Sequence, residues 1–439
     1  MSRLQIIAVA ITIGLNALDG FDVLSISFAS PGIAGEWGID RAALGIVLSM
    51  ELIGMAIGSI VLGGVADKLG RRPTMLACLT IMTAGMFMAT SVKGIVDLCA
   101  WRLFTGFGIG GLLAAINAVA AEYSNARRRN LCVALMAGGY PVGAVVGGLI
   151  VVQLLKVHDW RSVFYLGAFL TACFIPLVWF CVPESVHWLA QKQPAGALEK
   201  ISRTLRRMGH AAITALPDIA HDVRRRSIGD IFAPGLVLIT VLATAGYFFH
   251  IITFYFILKW VPKIVVDMGF APSSAGSVLV WANVGGITGS VVLALLSQRI
   301  GVKPLVIVVL LASTVMVTIF GHSPPNLQTL SFLCLVAGFF TNAGVVGIYA
   351  ILAQAFPTHV RAFGTGFAIG VGRGGSALAP IVAGFLFKAG YSLPTVATIM
   401  ACGSLLAAVA FMMLKIRPDQ PIVAGSQSQN ALNGKPAAT

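Results

Sequence analysis

The feature that most constrains this chain is its division into twelve long apolar stretches joined by short loops. They fall at roughly 5–29, 43–65, 74–92, 98–121, 131–154, 161–182, 232–259, 273–296, 303–321, 328–353, 364–388 and 393–415. About 20 apolar residues cross the hydrocarbon core of a bilayer as a helix. A helix satisfies its own backbone N–H and C=O groups there, whereas open irregular backbone does not. Only 10% of the 439 residues are charged, against roughly 25% in soluble domains. These stretches predict an all-α integral membrane protein of twelve transmembrane helices. The first is too long, and too acidic, for a cleaved signal peptide.

A net charge of +14 raises the question of nucleic acid, but the basic residues sit in the loops rather than on one patch. With both termini inside, the inside segments hold twenty-one Lys and Arg and the outside segments seven. That threefold bias is a topology signal and places both termini in the cytoplasm. No nucleic-acid partner is expected. The seven cysteines lie in or beside spans without metal-ligand spacing, so they read as packing residues and no metal is expected.

The longest polar interruption, 183–231, divides the spans six and six. The expected organisation is an N-terminal bundle (1–182), a cytoplasmic loop (183–231), a C-terminal bundle (232–418) and a disordered tail (419–439). Within the loop, 196–209 has the pattern of an amphipathic helix with basic anchors, lying on the inner leaflet. The halves echo each other. Asp67 to Pro73 aligns with Gln298 to Pro304 at an offset of 231, and Ala121 to Arg129 with Ala353 to Arg361 at 232. Duplicated halves with a site at their interface are a design of secondary transporters. No phosphate-binding Gly-x-x-x-x-Gly-Lys-Ser/Thr loop occurs, so neither ATP nor another cofactor is expected, and a proton gradient is the anticipated drive.

Charges inside the spans carry the chemistry, because each costs free energy at membrane depth. Asp19 and Asp22 share a helical face in the first span, at i and i+3. At about 1.5 Å per residue, Asp19, Glu51 and Arg373 all fall roughly 12–15 Å from a membrane surface, near the midplane. Arg102 and Asp22 fall in the outer half by the same count and could pair. Arg373 is the expected ligand for a carboxylate, since guanidinium keeps its charge and offers a planar fork. Asp19, Asp22 and Glu51 are the expected proton-coupling groups, because a carboxylate changes its proton affinity with solvation and with a nearby cation. Asn16, Phe21, Phe248, Trp281, Asn283, Tyr349 and Arg102 are expected to complete a pocket with apolar walls and a few polar groups.

Several motifs resemble a known family. Gly63-Gly64-Val65-Ala66-Asp67-Lys68-Leu69-Gly70-Arg71-Arg72 resembles the loop between spans two and three of the major facilitator superfamily. Leu18-Asp19-Gly20-Phe21-Asp22 resembles the first-span motif of its aromatic acid:proton symporters, the 4-hydroxybenzoate, benzoate and protocatechuate type. Pro183 to Leu189, Pro357 to Arg361 and Gly370 to Arg373 resemble other segments of that group. The resemblance implies two pseudo-symmetric six-helix bundles and a conformational latch. Asp67, Arg71, Glu122, Arg129 and Arg361 are assigned to that latch, with Gln298 weakening the second copy. It implies a monomeric carrier in the bacterial inner membrane, importing aromatic carboxylates with protons, and not an enzyme. A carrier of nonaromatic or sugar-acid anions, a proton-driven exporter and a non-transporting sensor are the alternatives.

Overall fold

The computed structural model describes residues 1–125, 128–216, 228–357 and 360–415. The expected disordered tail lies outside the described residues, as do parts of the central loop. The described residues form helices and no strand. The first six spans are α1 (Arg3–Trp37), α2 (Arg41–Leu69), α3 (Arg71–Ala89), α4 (Ile95–Tyr123), α5 (Arg129–Leu154) and α6 (Arg161–Cys181). Three short helices follow: α7 (Val186–Lys192), α8 (Ala197–Arg207) and α9 (Ile228–Ile231). The second six spans are α10 (Val237–Asp267), α11 (Pro272–Leu296), α12 (Val302–Gly321), α13 (Leu327–Ala355), α14 (Arg361–Gly372) continued by α15 (Gly374–Lys388), and α16 (Leu393–Met413). Among the described residues, twelve helical stretches are long and apolar enough to cross a membrane.

The helices pack as two bundles with one repeated plan. In the first, α2 packs on α4, α1 on α5, and α3 on α4 and α6. The second repeats these pairings as α11 on α13, α10 on α14 and α15, and α12 on α13 and α16. Glycines explain why the central pairs come so close. A Cβ at Gly58 would stand 2.0 Å from the Phe107 carbonyl oxygen, and one at Gly106 2.0 Å from that of Glu51. The second half has the same contacts 231 or 232 residues later: Gly289 at 2.2 Å from the Phe339 carbonyl and Gly338 at 1.9 Å from that of Ala282. Small residues at such positions let membrane helices touch backbone to backbone. The duplication therefore extends from the loops into the packing.

The bundles meet chiefly at the face opposite the termini. There α2 lies against α15, with Gly45 under the Pro380 carbonyl and Gly384 under that of Arg41. Ion pairs Arg41–Asp267 (3.0 Å) and Lys388–Asp40 (2.8 Å) rim the same face. Asp40 also caps α2 by accepting the Ala43 N–H at 2.7 Å, and these partners hold its pKa below the ordinary aspartate value. Toward the terminus face, Gly64, Gly138, Gly366 and Gly370 have open space where a side chain would stand. The interbundle contacts of α2 with α15, α5 with α11 and α1 with α10 lie at the far face or at mid-depth, so the cleft between the bundles opens toward the termini.

Candidate functional site

The charges inside the spans sort into two clusters. The first joins four helices. Glu51 of α2 forms an ion pair with Arg102 of α4 and lies 3.6 Å from the ammonium of Lys259 on α10. The contacts hold the carboxylate by charge, since neither is aligned as a hydrogen bond. Arg102 donates to the Asp22 carbonyl at 3.2 Å, and its guanidinium stands 5.3 Å from the centre of the Phe164 ring. Lys259 donates to the Val23 carbonyl of α1. Asp22 receives only a long hydroxyl contact, 3.5 Å, from Thr171. Asp22, Glu51, Arg102 and Lys259 are all fully buried, two acids beside two bases. One member, Lys259, comes from the second bundle.

The second cluster is looser. Asp19 of α1 is buried, and neither of its carboxylate oxygens has a hydrogen-bond partner. It lies in electrostatic range of Arg373 without forming an ion pair. Arg373 sits where span eleven tightens between α14 and α15: the Ser376 N–H and hydroxyl both turn back to the Arg373 carbonyl, at 2.9 and 2.6 Å. Tyr247, Tyr255 and Tyr349 lie within electrostatic range of its guanidinium. Tyr247 and Tyr349 share a hydrogen bond of 3.1 Å, and Gly372 gives the Tyr247 ring its place beside Arg373. Phe248 packs beside Gly374. Tyr140 of α5 faces Tyr255 across the bundle interface, its hydroxyl buried and outside hydrogen-bonding geometry. A cation, an acid and a set of phenols thus meet from both bundles at the head of the open cleft. Such a group can bind an anion bearing a ring.

Other expected pocket residues have different tasks. The Asn16 amide donates to the Met136 and Ala137 carbonyls, tying α1 to α5. Phe21 is buried against Gly147, in the packing of the first bundle rather than in a cleft wall. Trp281 is 46% exposed, on the face of α11 that also carries Val292 and Leu295. Asn283 donates to Leu279 of its own helix and borders a narrow interbundle gap with Tyr140 and Asn342. Arg102 pairs with Glu51 and not with the Asp22 carboxylate, which corrects the sequence expectation. Asp22 lies at mid-helix rather than near the far gate, because α1 runs on to Trp37.

Sequence reasoning missed Lys259. In the sequence Lys259 closes span seven at 232–259, but the helix continues through Trp260–Val261–Pro262 to Asp267. The apolar run after Lys259 was the available signal. At the terminus face, Arg71 contacts Asp67 at 2.9 Å and Glu122 at 3.4 Å. Glu184, also missed as a site residue, accepts the Arg71 N–H at 2.8 Å at the start of α3. Burial raises the Glu184 pKa, against the lowering effect of those backbone donors. Arg129 is exposed, and Arg361 donates to the Phe356 carbonyl at 3.2 Å.

Fold and site together define a twelve-span membrane transporter with duplicated halves, not an enzyme. The chain belongs to the Major Facilitator Superfamily, whose sequence model matches residues 12–262 and again 243–438. Among its relatives is the gallate transporter of Pseudomonas putida, 26% identical over 90% of this chain and 88% of that one. The 4-hydroxybenzoate transporter PcaK of the same organism is 27% identical over 94% and 93%. The 3-(3-hydroxy-phenyl)propionate transporter of Escherichia coli is 27% identical over 93% and 94%. The xylose transporter XylE of E. coli, in a partially occluded inward-open conformation, shares the fold with a TM-score of 0.75, at 19% identity over 95% and 99%.

Proposed function

We propose that this protein imports aromatic carboxylates together with protons, by alternating access, across the bacterial inner membrane. The observation that carries the reading is the meeting of Asp19 with Arg373 among Tyr247, Tyr255 and Tyr349, at the closed end of the interbundle cleft. The names of the relatives, transporters of gallate, 4-hydroxybenzoate and a hydroxyphenylpropionate, support the substrate class. The loop charge bias puts the terminus face in the cytoplasm, which makes this conformation inward-facing. Units 1–182 and 232–418 rock about the site, joined by 183–231.

Arg373 takes the substrate carboxylate through its planar fork, and the tyrosine rings stack on or edge against the substrate ring. Asp19, when charged, competes with the anion for Arg373. A proton taken from the outside removes that competition, so anion and proton load together. Asp19 is still buried in this conformation, so proton release to the inside needs a further opening that brings water to its carboxylate. Glu51, Arg102, Lys259 and Asp22 hold the two bundles together in this state. Opening outward separates Lys259 from Glu51.

The test is uptake into proteoliposomes with a panel of aromatic and aliphatic acids, with and without an inward proton gradient. The reading expects benzoate-type acids to be concentrated only with the gradient. No competition by any aromatic acid, or accumulation driven by the opposite gradient, would overturn it.

A further inference from the structure

At the terminus face, away from the transport cleft, α3, α6 and α8 enclose a cavity of about 460 Å³. Arg72 begins one wall, Trp179 and Phe180 end the second, and Lys200, Arg203 and Arg207 form the third. Spacings of three and four place those α8 cations on one stripe. The adjoining stripe of α8 is buried, with Ile201 packed against Trp188 and Leu189.

The charge in this cavity is not balanced from within. Its one carboxylate, Glu184, is already engaged by the N–H groups of Arg71, Arg72 and Ser185. Arg203 is paired with Glu199 at 2.9 Å on the open surface. Lys200 and Arg207 have no carboxylate partner among the described residues. Arg72 donates to the Trp179 carbonyl and stacks over its ring at 5.2 Å, yet its Nε is buried without a partner. The mouth is apolar: Phe180 is 75% exposed at the membrane-facing end of α6, beside the half-exposed Trp179. A soluble anion needs no such wall. A phosphodiester carrying acyl chains uses both the cations and the aromatic edge.

We propose that this cavity holds the headgroup of an anionic phospholipid, with the phosphate on Arg72, Lys200 and Arg207 and an acyl chain along Trp179 and Phe180. The same helices carry the latch, since the Trp188 indole donates to the Asp67 carbonyl at 3.1 Å. A bound lipid therefore braces α7 and α8 against the α2–α3 turn. This inference stands apart from the transported substrate.

Native mass spectrometry of the delipidated full-length protein, titrated with phosphatidylglycerol, phosphatidylcholine or inorganic phosphate, tests it. Each cation near an anionic headgroup contributes about fivefold in affinity, so a Lys200→Gln/Arg207→Gln double variant should bind phosphatidylglycerol roughly 30-fold more weakly. Lys156→Gln, on the opposite face, should bind it as the wild type does, and a matching lipid-free thermal midpoint shows that the double variant is folded. Equal binding of the two lipids, or unchanged binding by the double variant, would overturn the proposal. So would inorganic phosphate that competes at concentrations matching phosphatidylglycerol, because that result assigns the cavity to a free anion.

Discussion

The two buried charge clusters lie near the same depth and use the same residue types, yet they are built in opposite ways. Around Glu51 the charges are buried and matched in sign: the carboxylate pairs with Arg102 and stands 3.6 Å from the Lys259 ammonium, though its oxygens make no hydrogen bond. Around Arg373 they are separated: Asp19 forms no ion pair with it, and three tyrosines lie within its electrostatic range. A cluster whose charges are paired in sign has less to offer a charged ligand, and breaking it leaves a charge stranded. An unsaturated one keeps its capacity for a partner that comes and goes. The difference assigns holding to the first and binding to the second.

The largest effect expected is on transport. Arg373→Ala should lower uptake by about a hundredfold or more, because a buried carboxylate loses its charged partner. Its thermal midpoint should stay near that of the wild type. A large loss of stability would instead put Arg373 with the structural cluster. Glu51→Gln should do the converse, leaving Arg102 and Lys259 facing each other unpaired at a cost of about 3–5 kcal/mol in unfolding measurements. Adding Lys259→Met should recover part of that stability. Additive losses in the double variant would mean that the two side chains do not interact.

Asp19→Asn should spare counterflow of labelled substrate while abolishing accumulation driven by a pH gradient. Retained accumulation would move the coupling proton to Asp22 or Glu51. The smallest effect concerns the far-face rim. Asp40 has a depressed pKa, so its bridge to Lys388 is complete above the ordinary aspartate value near 3.9 and fades as pH falls through the lower value in the folded protein. Probe distances between the starts of α2 and the end of α15 should stay constant from neutral pH down to about 5 and lengthen only in stronger acid. Lengthening near neutral pH would point to another group.

Much of this was legible because a charge inside an apolar run is conspicuous. The spans, the duplicated loops, and the residues Asp19, Glu51 and Arg373 all stand out on that ground. Depth along a helix can be counted, but azimuth cannot be read from a helix that is apolar on every side. Hence the count allows Arg102 to pair with Asp22, where the fold gives it Glu51. Lys259 was hidden by a rule that usually works, that a lysine marks the end of a span. The tight α2–α4 and α11–α13 pairing, by contrast, follows from glycines at a repeated offset that the loops had already announced.

Those glycine contacts supply a ruler. Where backbones touch at Gly58 and Gly106, or at Gly289 and Gly338, no side chain is available to slide or repack. Probes on α2 and α4 should therefore report one unchanging distance through a whole turnover, as should probes on α11 and α13. Any distance that varies between the two pairs then measures rotation of one half against the other, free of deformation within either.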